Sequence, residues 1–214
     1  MTTAQEVTVP EAPRLVMTDG AVDGLLEPTS VELVAGEVTI AVGRPGHGNV
    51  ALALALAGRL RLTGGAVALA GDTAPGPRQQ AVVLVDVPGV TEPDDSVPFR
   101  VIVAEELALA GRPAGPRAAS AWLREHRLGT SPRLRTEDVT PLDRVRSLTE
   151  LGASRPDARF LVLLSPDRHG LHRRDWWPVA RAAADRGLGV LVTVSEAVDL
   201  AGHAARVTAI GGAA

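Results

Sequence analysis

The chain opens with short apolar segments broken by turns and then settles into an alternation of buried strands and amphipathic helices. Asp19-Gly20 and Asp23-Gly24 punctuate residues 14–42, where Val31–Val34 reads as a short strand and Ala35-Gly36 as a turn. Val38–Val42 is an apolar run of the kind expected when a strand is buried on both faces. It enters Gly43-Arg44-Pro45-Gly46-His47-Gly48, and an Ala/Leu-rich helix is predicted over Asn49–Leu60, with Gly64-Gly65 as its stop. Strands are expected at Ala66–Ala70 and Ala81–Val85, followed by an acidic, Pro-rich loop over residues 86–98. Helical patterns cover 99–110, 117–128 and 142–153, with a polar loop at 129–141. The most apolar strand is Phe160–Leu164; a helix over Trp176–Arg186, a strand at Val190–Val194, a helix near Glu196–Ala204 and a strand at Arg206–Ile210 complete the pattern. Strands alternating with helices imply a parallel sheet covered on both faces, with one helical stretch inserted.

Composition narrows the function classes. The 214 residues, 45% of them apolar, suffice for one sizeable domain. A formal charge of -3 argues against a nucleic-acid-binding surface. The absence of Cys removes disulfide and thiolate chemistry. No charge-free apolar run reaches the length of a membrane span, and residues 1–13 are polar and acidic, which predicts a flexible N-terminus and a cytoplasmic protein. All 22 basic residues are Arg, so the chain cannot supply a phosphate-binding lysine of its own.

Gly43-x-x-Gly46-x-Gly48 lies between a buried strand and a helix, the context a phosphate-binding loop requires: glycines allow a tight turn, and amides at the helix N-terminus point at an anion. A tight strand-to-helix turn without a ligand explains the same three glycines equally well. Further segments bear on that choice. Val34–Gly43, Leu56-Ala57-Gly58, Leu62–Val67, Ala70-Gly71, Pro156–Leu164 with Gly170-Leu171, and Val190–Ser195 together resemble, in order and spacing, the ATP-binding domain of ABC transporters over nearly the whole chain. The resemblance implies a P-loop NTPase-like α/β fold over residues 14–214, with an antiparallel β section near the N-terminus and a helical subdomain at about 97–150.

Against the family's motifs, the chain departs repeatedly. Gly43, Gly46 and Gly48 match the Walker A glycines, but Asn49 stands at the lysine, Val50 at the metal-binding hydroxyl and Ala51 at the next Thr. Asp86 falls at the Q-loop Gln, and Val139–Asp143 at the signature. Ser165 and Pro166 take the Walker B Asp and catalytic Glu positions, His172 the D-loop Asp and Ser195 the switch His. A neutral amide in place of a lysine weakens phosphate binding by about 1–3 kcal/mol. The expectation is an ATPase-deficient subunit with no catalytic residues and no metal ligands. Its loop, Gly43, Arg44, Gly46, His47, Gly48, Asn49, Val50 and Ala51, would accept ATP, ADP or phosphate weakly and without Mg²⁺. The resemblance implies a transmembrane subunit or a competent ABC ATPase as partner, a dimer as one arrangement, and a peripheral position at the inner face of the membrane. The insert is the expected docking face. Two alternatives stay open: an ATP-binding component completed in trans by a partner ATPase, and an anion- or small-molecule-binding protein that reuses the glycine loop.

Four further groupings read more simply. His169 and His172 flanked by Asp167 and Asp175 have metal-like spacing but suit a solvated loop. Ser165, Asp167 and His169 are too crowded for a triad. Trp176-Trp177 serves either as a partner anchor or as one buried and one half-buried ring. The acids Glu92, Asp94 and Asp95 read as solvated surface.

Overall fold

A computed structural model of the chain describes residues 12–128, 134–195 and 205–211. Strand β1 (Arg14–Val22) pairs antiparallel with β2 (Leu26–Val34) on one side and with β4 (Gly64–Leu69) on the other, forming a three-stranded sheet in the order β2-β1-β4. The second sheet is parallel, in the order β5-β6-β7-β3-β8, from β3 (Val38–Val42), β5 (Val82–Val85), β6 (Phe160–Leu164), β7 (Gly189–Val194) and β8 (Arg206–Ala209). Its helices are α1 (His47–Leu56), α2 (Pro75–Ala81), α3 (Phe99–Leu109), α4 (Pro116–Glu125), α5 (Pro141–Ala153) and α6 (Arg173–Ala184). Among the described residues, none of these helices is long and apolar enough to cross a membrane.

The near-continuous hydrophobicity of β5, β6 and β7 follows from burial on both faces. Successive side chains point to opposite faces. Phe160, Val162 and Leu164 therefore join Leu52, Leu56 and the antiparallel sheet's Leu15 and Leu33 in one core, whereas Leu161 and Leu163 join α3–α6 in the other. Trp176 is fully buried in that second core, while Trp177 is half-buried, with the Arg173 guanidinium 5.1 Å from its ring centre. α3, α4 and α5 all lie between β5 and β6 in the chain, as the helical stretch in the sequence suggested.

Several boundaries differ from the sequence reading. α1 starts two residues early and stops at Leu56, because Gly58, in the left-handed region at φ 67°, ends it; a Cβ there would lie 2.8 Å from the carbonyl of Pro75. α2 was not expected at all. Its seven residues contain two prolines and a glycine, and Pro75 at its start sets the first helical φ. Ala81 closes α2 rather than opening a strand, and β2 runs nine residues rather than four. α6 begins at Arg173, where the Asp175 carboxylate accepts the His172 amide at 2.9 Å. The helix expected near Glu196–Ala204 lies outside the described residues.

Candidate functional site

Because the second sheet is parallel, β3, β5, β6 and β7 all end at one edge. Gly43, Asp86, Ser165 and Ser195, the residues that immediately follow them, are gathered there from distant parts of the chain. In open α/β sheets this edge is the usual location of ligand sites.

The glycine loop shows three different reasons for its glycines. A Cβ on Gly43 would lie 2.8 Å from Cβ of Ile210 and 3.2 Å from the Asn49 Oδ1, so packing alone requires glycine there. Gly48 lies under the β1–β2 turn, where a Cβ would sit 3.4 Å from the Leu25 carbonyl. Gly46 has φ 154° and open space beyond its Cα, so backbone conformation rather than crowding favours glycine. Arg44 and His47 are exposed. Val50 packs against the core beneath the antiparallel sheet, and Ala51 is buried within it.

Asn49 is buried at 4% exposure and turns inward. Its Nδ2 donates a long bond, 3.4 Å, to the Ser165 Oγ, while its Oδ1 is buried without a partner. Ser165 sits in the left-handed region at φ 45°, which lets its amide donate to both the carbonyl and the Oγ1 of Thr193, each at 3.0 Å. Its Oγ lies 3.2 Å from the same Oγ1. Asn49, Ser165 and the fully buried Thr193 thus form a neutral chain from α1 across β6 to β7. Pro166 is buried in a short 3-10 turn, Pro166–His169, that extends β6. Asp167 in that turn accepts the Ser195 amide at 3.0 Å through Oδ2, and its Oδ1 is buried without a partner.

A charged cluster lies beside this chain. Asp86, 4% exposed and itself at φ 55°, accepts from Arg144 at 3.0 and 3.3 Å, from His169 Nε2–H at 2.8 Å, and pairs with Arg168 at 3.3 Å. Arg144, near the start of α5, also donates to Asp95 at 2.8 Å, and Arg168 donates to Glu92 at 3.0 Å and to the Leu164 carbonyl at 2.7 Å. Burial alone would push the Asp86 carboxyl up. The bonds from His169 and Arg144 and the nearby Arg168 charge outweigh it and hold the carboxyl below its ordinary value. Burial opposes the Arg144 charge as well, but the Asp86 and Asp95 carboxylates dominate and raise its pKa. Asp86, Glu92 and His169 bring three donor atoms within 4.8 Å of one another, the spacing of a metal site, yet two guanidiniums already occupy those carboxylates. Glu92, Asp94 and Asp95 are exposed, as the reading of the acidic loop as solvated surface expects, and their carboxylates are also used: Glu92 and Asp95 pair with Arg168 and Arg144, and Asp94 accepts the Ser96 amide at 2.8 Å. The histidines do not act together either, since His169 binds Asp86 while His172 begins α6.

No protein-family model matches the sequence, and no curated protein matches it. Solved structures do match. A putative ABC transporter ATP-binding protein from Pyrococcus furiosus aligns over 87% of this chain and 94% of its own, with a TM-score of 0.62 and 13% identity. A nucleotide-free ATP-binding cassette from an ABC transporter aligns over 86% of this chain and 82% of its own, with a TM-score of 0.54 and 13% identity. A bacterial Atm1-family ABC exporter with ATP bound aligns over 87% of this chain but 35% of its own, with a TM-score of 0.58 and 17% identity. The chain has the ABC ATP-binding cassette fold. In this cassette, the residues at the glycine loop do not fit a magnesium–nucleotide. Magnesium is held by hydroxyl, carboxylate and phosphate oxygens in near-octahedral geometry. Val50 turns an apolar side chain into the core, and Asn49 and Ser165 are neutral and bonded to each other. Asp167 contributes one unpartnered carboxylate oxygen, which does not make up that set.

Proposed function

We propose that this chain is a non-hydrolysing ABC-type subunit that works by binding a partner, either a transmembrane subunit or a competent ABC ATPase. The observation that carries the reading is the Asn49–Ser165–Thr193 chain: a buried, uncharged contact at the place where the fold's phosphate chemistry needs a cation, a metal and a carboxylate. No step of phosphoryl transfer can be routed through these side chains. The cassette comprising residues 14–214 keeps its scaffold, and the helical stretch at about 97–150 is the proposed docking face. The Asp86–Arg144 cluster supports this, because it fixes the start of α5 to the ends of β5 and β6 without a ligand. The setting that fits such a role is the cytoplasmic face of a membrane.

The direct test is steady-state ATP turnover with Mg²⁺, together with calorimetry of ATP binding. No turnover above background and no binding heat with Mg²⁺ are expected. Turnover that Gly48→Val abolishes would overturn the reading. The second reading, an ATP-binding component completed in trans, draws on the orphaned Oδ1 atoms of Asn49 and Asp167 and the open space at Gly46. It requires ATP to raise the melting temperature once the partner is added.

A further inference from the structure

The far end of α1 holds a second feature, remote from the glycine loop. Gly58 ends the helix, and the chain turns back through Arg59 and Arg61 into β4, with α2 closing the third side. These segments enclose a cavity of about 510 Å³, lined by Arg59, Arg61 and Arg78 and walled by Leu62, Val67 and Pro75. That volume is within the range of small-molecule sites.

Its charge is unusual. Arg78 is 8% exposed, and its guanidinium donates only to backbone carbonyls, those of Val67 at 2.9 Å and Thr73 at 3.4 Å; its Nε is buried without a partner. Arg59 donates to the Gln79 carbonyl at 3.5 Å. Among the described residues, no carboxylate lies within ion-pair distance of Arg59, Arg61 or Arg78. Buried guanidiniums are almost always paired, since a desolvated charge without a counterion is costly. Arg144, the other buried arginine among the described residues, obeys that rule, with Asp86 and Asp95 as its partners. Burial pulls the Arg78 pKa down, with the charge of Asp72 only partly offsetting it, and burial together with the Arg155 charge pulls Arg59 down. The cavity therefore carries three cations facing apolar walls, with carboxylate only at a distance.

We propose that this cavity binds a small organic phosphate, its dianion held by Arg59, Arg61 and Arg78 and its apolar body against Leu62, Val67 and Pro75. Forked guanidinium donors match phosphate oxygens in pairs, and three cations balance a dianion better than a monoanion. The site shares no lining residue with the glycine loop and does not depend on the role proposed for it.

Phenyl phosphate is a suitable probe, with benzoate as the monoanionic control. By calorimetry, the wild-type chain is expected to bind phenyl phosphate at least tenfold more tightly than benzoate, with affinity falling as salt is added. Arg78→Gln is expected to weaken phenyl phosphate at least tenfold. The exposed pair Arg59→Gln/Arg61→Gln should weaken it several-fold without touching the Arg78 bonds to backbone, so a folding defect in Arg78→Gln cannot decide the matter. Hydrogen exchange should slow over residues 58–62 and 73–80 on binding. The proposal is overturned by absence of binding at millimolar phenyl phosphate, by affinity unchanged in the Arg59/Arg61 variant, or by protection confined to residues 43–51.

Discussion

Asn49, Ser165 and Thr193 meet without a single charge, whereas a few residues away Arg144, Arg168 and His169 concentrate charge around the buried Asp86. Both groups lie at the same edge of the same sheet. The first joins β6 to its neighbour β7 and reaches α1 only through the long 3.4 Å Asn49–Ser165 bond, so it adds little to what β6–β7 pairing provides. The second joins Asp86, after β5, to a helix residue 58 positions later, so its energy goes into fixing one part of the chain against another. A buried ion pair gains little over apolar packing but is costly to break on one side. The charged cluster is therefore where this end of the molecule is most sensitive, and the neutral chain is where it is most tolerant.

The sharpest break of that contrast is Asp86→Asn, which keeps the left-handed backbone conformation but removes the counter-charge from Arg144. A loss of about 3 kcal/mol is expected, at the lower end for a broken buried pair because Asp95 still binds the guanidinium. In a thermal melt that corresponds to a fall of about 6–12 °C. Adding Arg144→Met should cost less than the sum of the two single changes by about 1–3 kcal/mol in urea unfolding. Strict additivity would mean the two side chains are not coupled.

Acid titration separates the clusters next. The Asp86 carboxyl lies below its ordinary value in the folded chain, so the unfolded chain binds its proton first as the pH falls. Its contribution is complete above the unfolded value of about 3.9 and is lost as the pH drops from there through the depressed folded value. Denaturant midpoints recorded from pH 6 to 3 should fall steeply for the wild type and less steeply for Asp86→Asn. Parallel curves would refute the assignment.

Thr193→Val tests the neutral chain. The Ser165 amide retains the Thr193 carbonyl at 3.0 Å, so only the hydroxyl contacts are lost, and a cost of about 1 kcal/mol in urea unfolding is expected. The smallest effect is functional. Asn49→Lys, which restores the cation alone, should leave ATP hydrolysis at background in a phosphate-release assay, because Val50 offers a metal no oxygen and Ser165 offers a neutral hydroxyl in place of a carboxylate. Appreciable turnover would remove the non-hydrolysing reading.

Much of this molecule was legible in its sequence. The apolar runs Val38–Val42, Phe160–Leu164 and Val190–Val194, spaced by helical patterns, determine a parallel sheet, because a strand buried on both faces must be apolar throughout and only crossover helices can cover it. The three glycines before an Ala/Leu-rich helix mark the turn between β3 and α1. α2 was not legible, since Pro75, Gly76 and Pro77 look like a breaker and its seven residues owe their helix to position rather than propensity. Nor did any local pattern reveal that Ile210 crowds Gly43, that Arg144 pairs with Asp86, or that Arg59, Arg61 and Arg78 surround one cavity. Periodicity records which face of an element is buried, and that is a local property. Which charge meets which depends on where separate elements are brought together, and only the tertiary structure decides that.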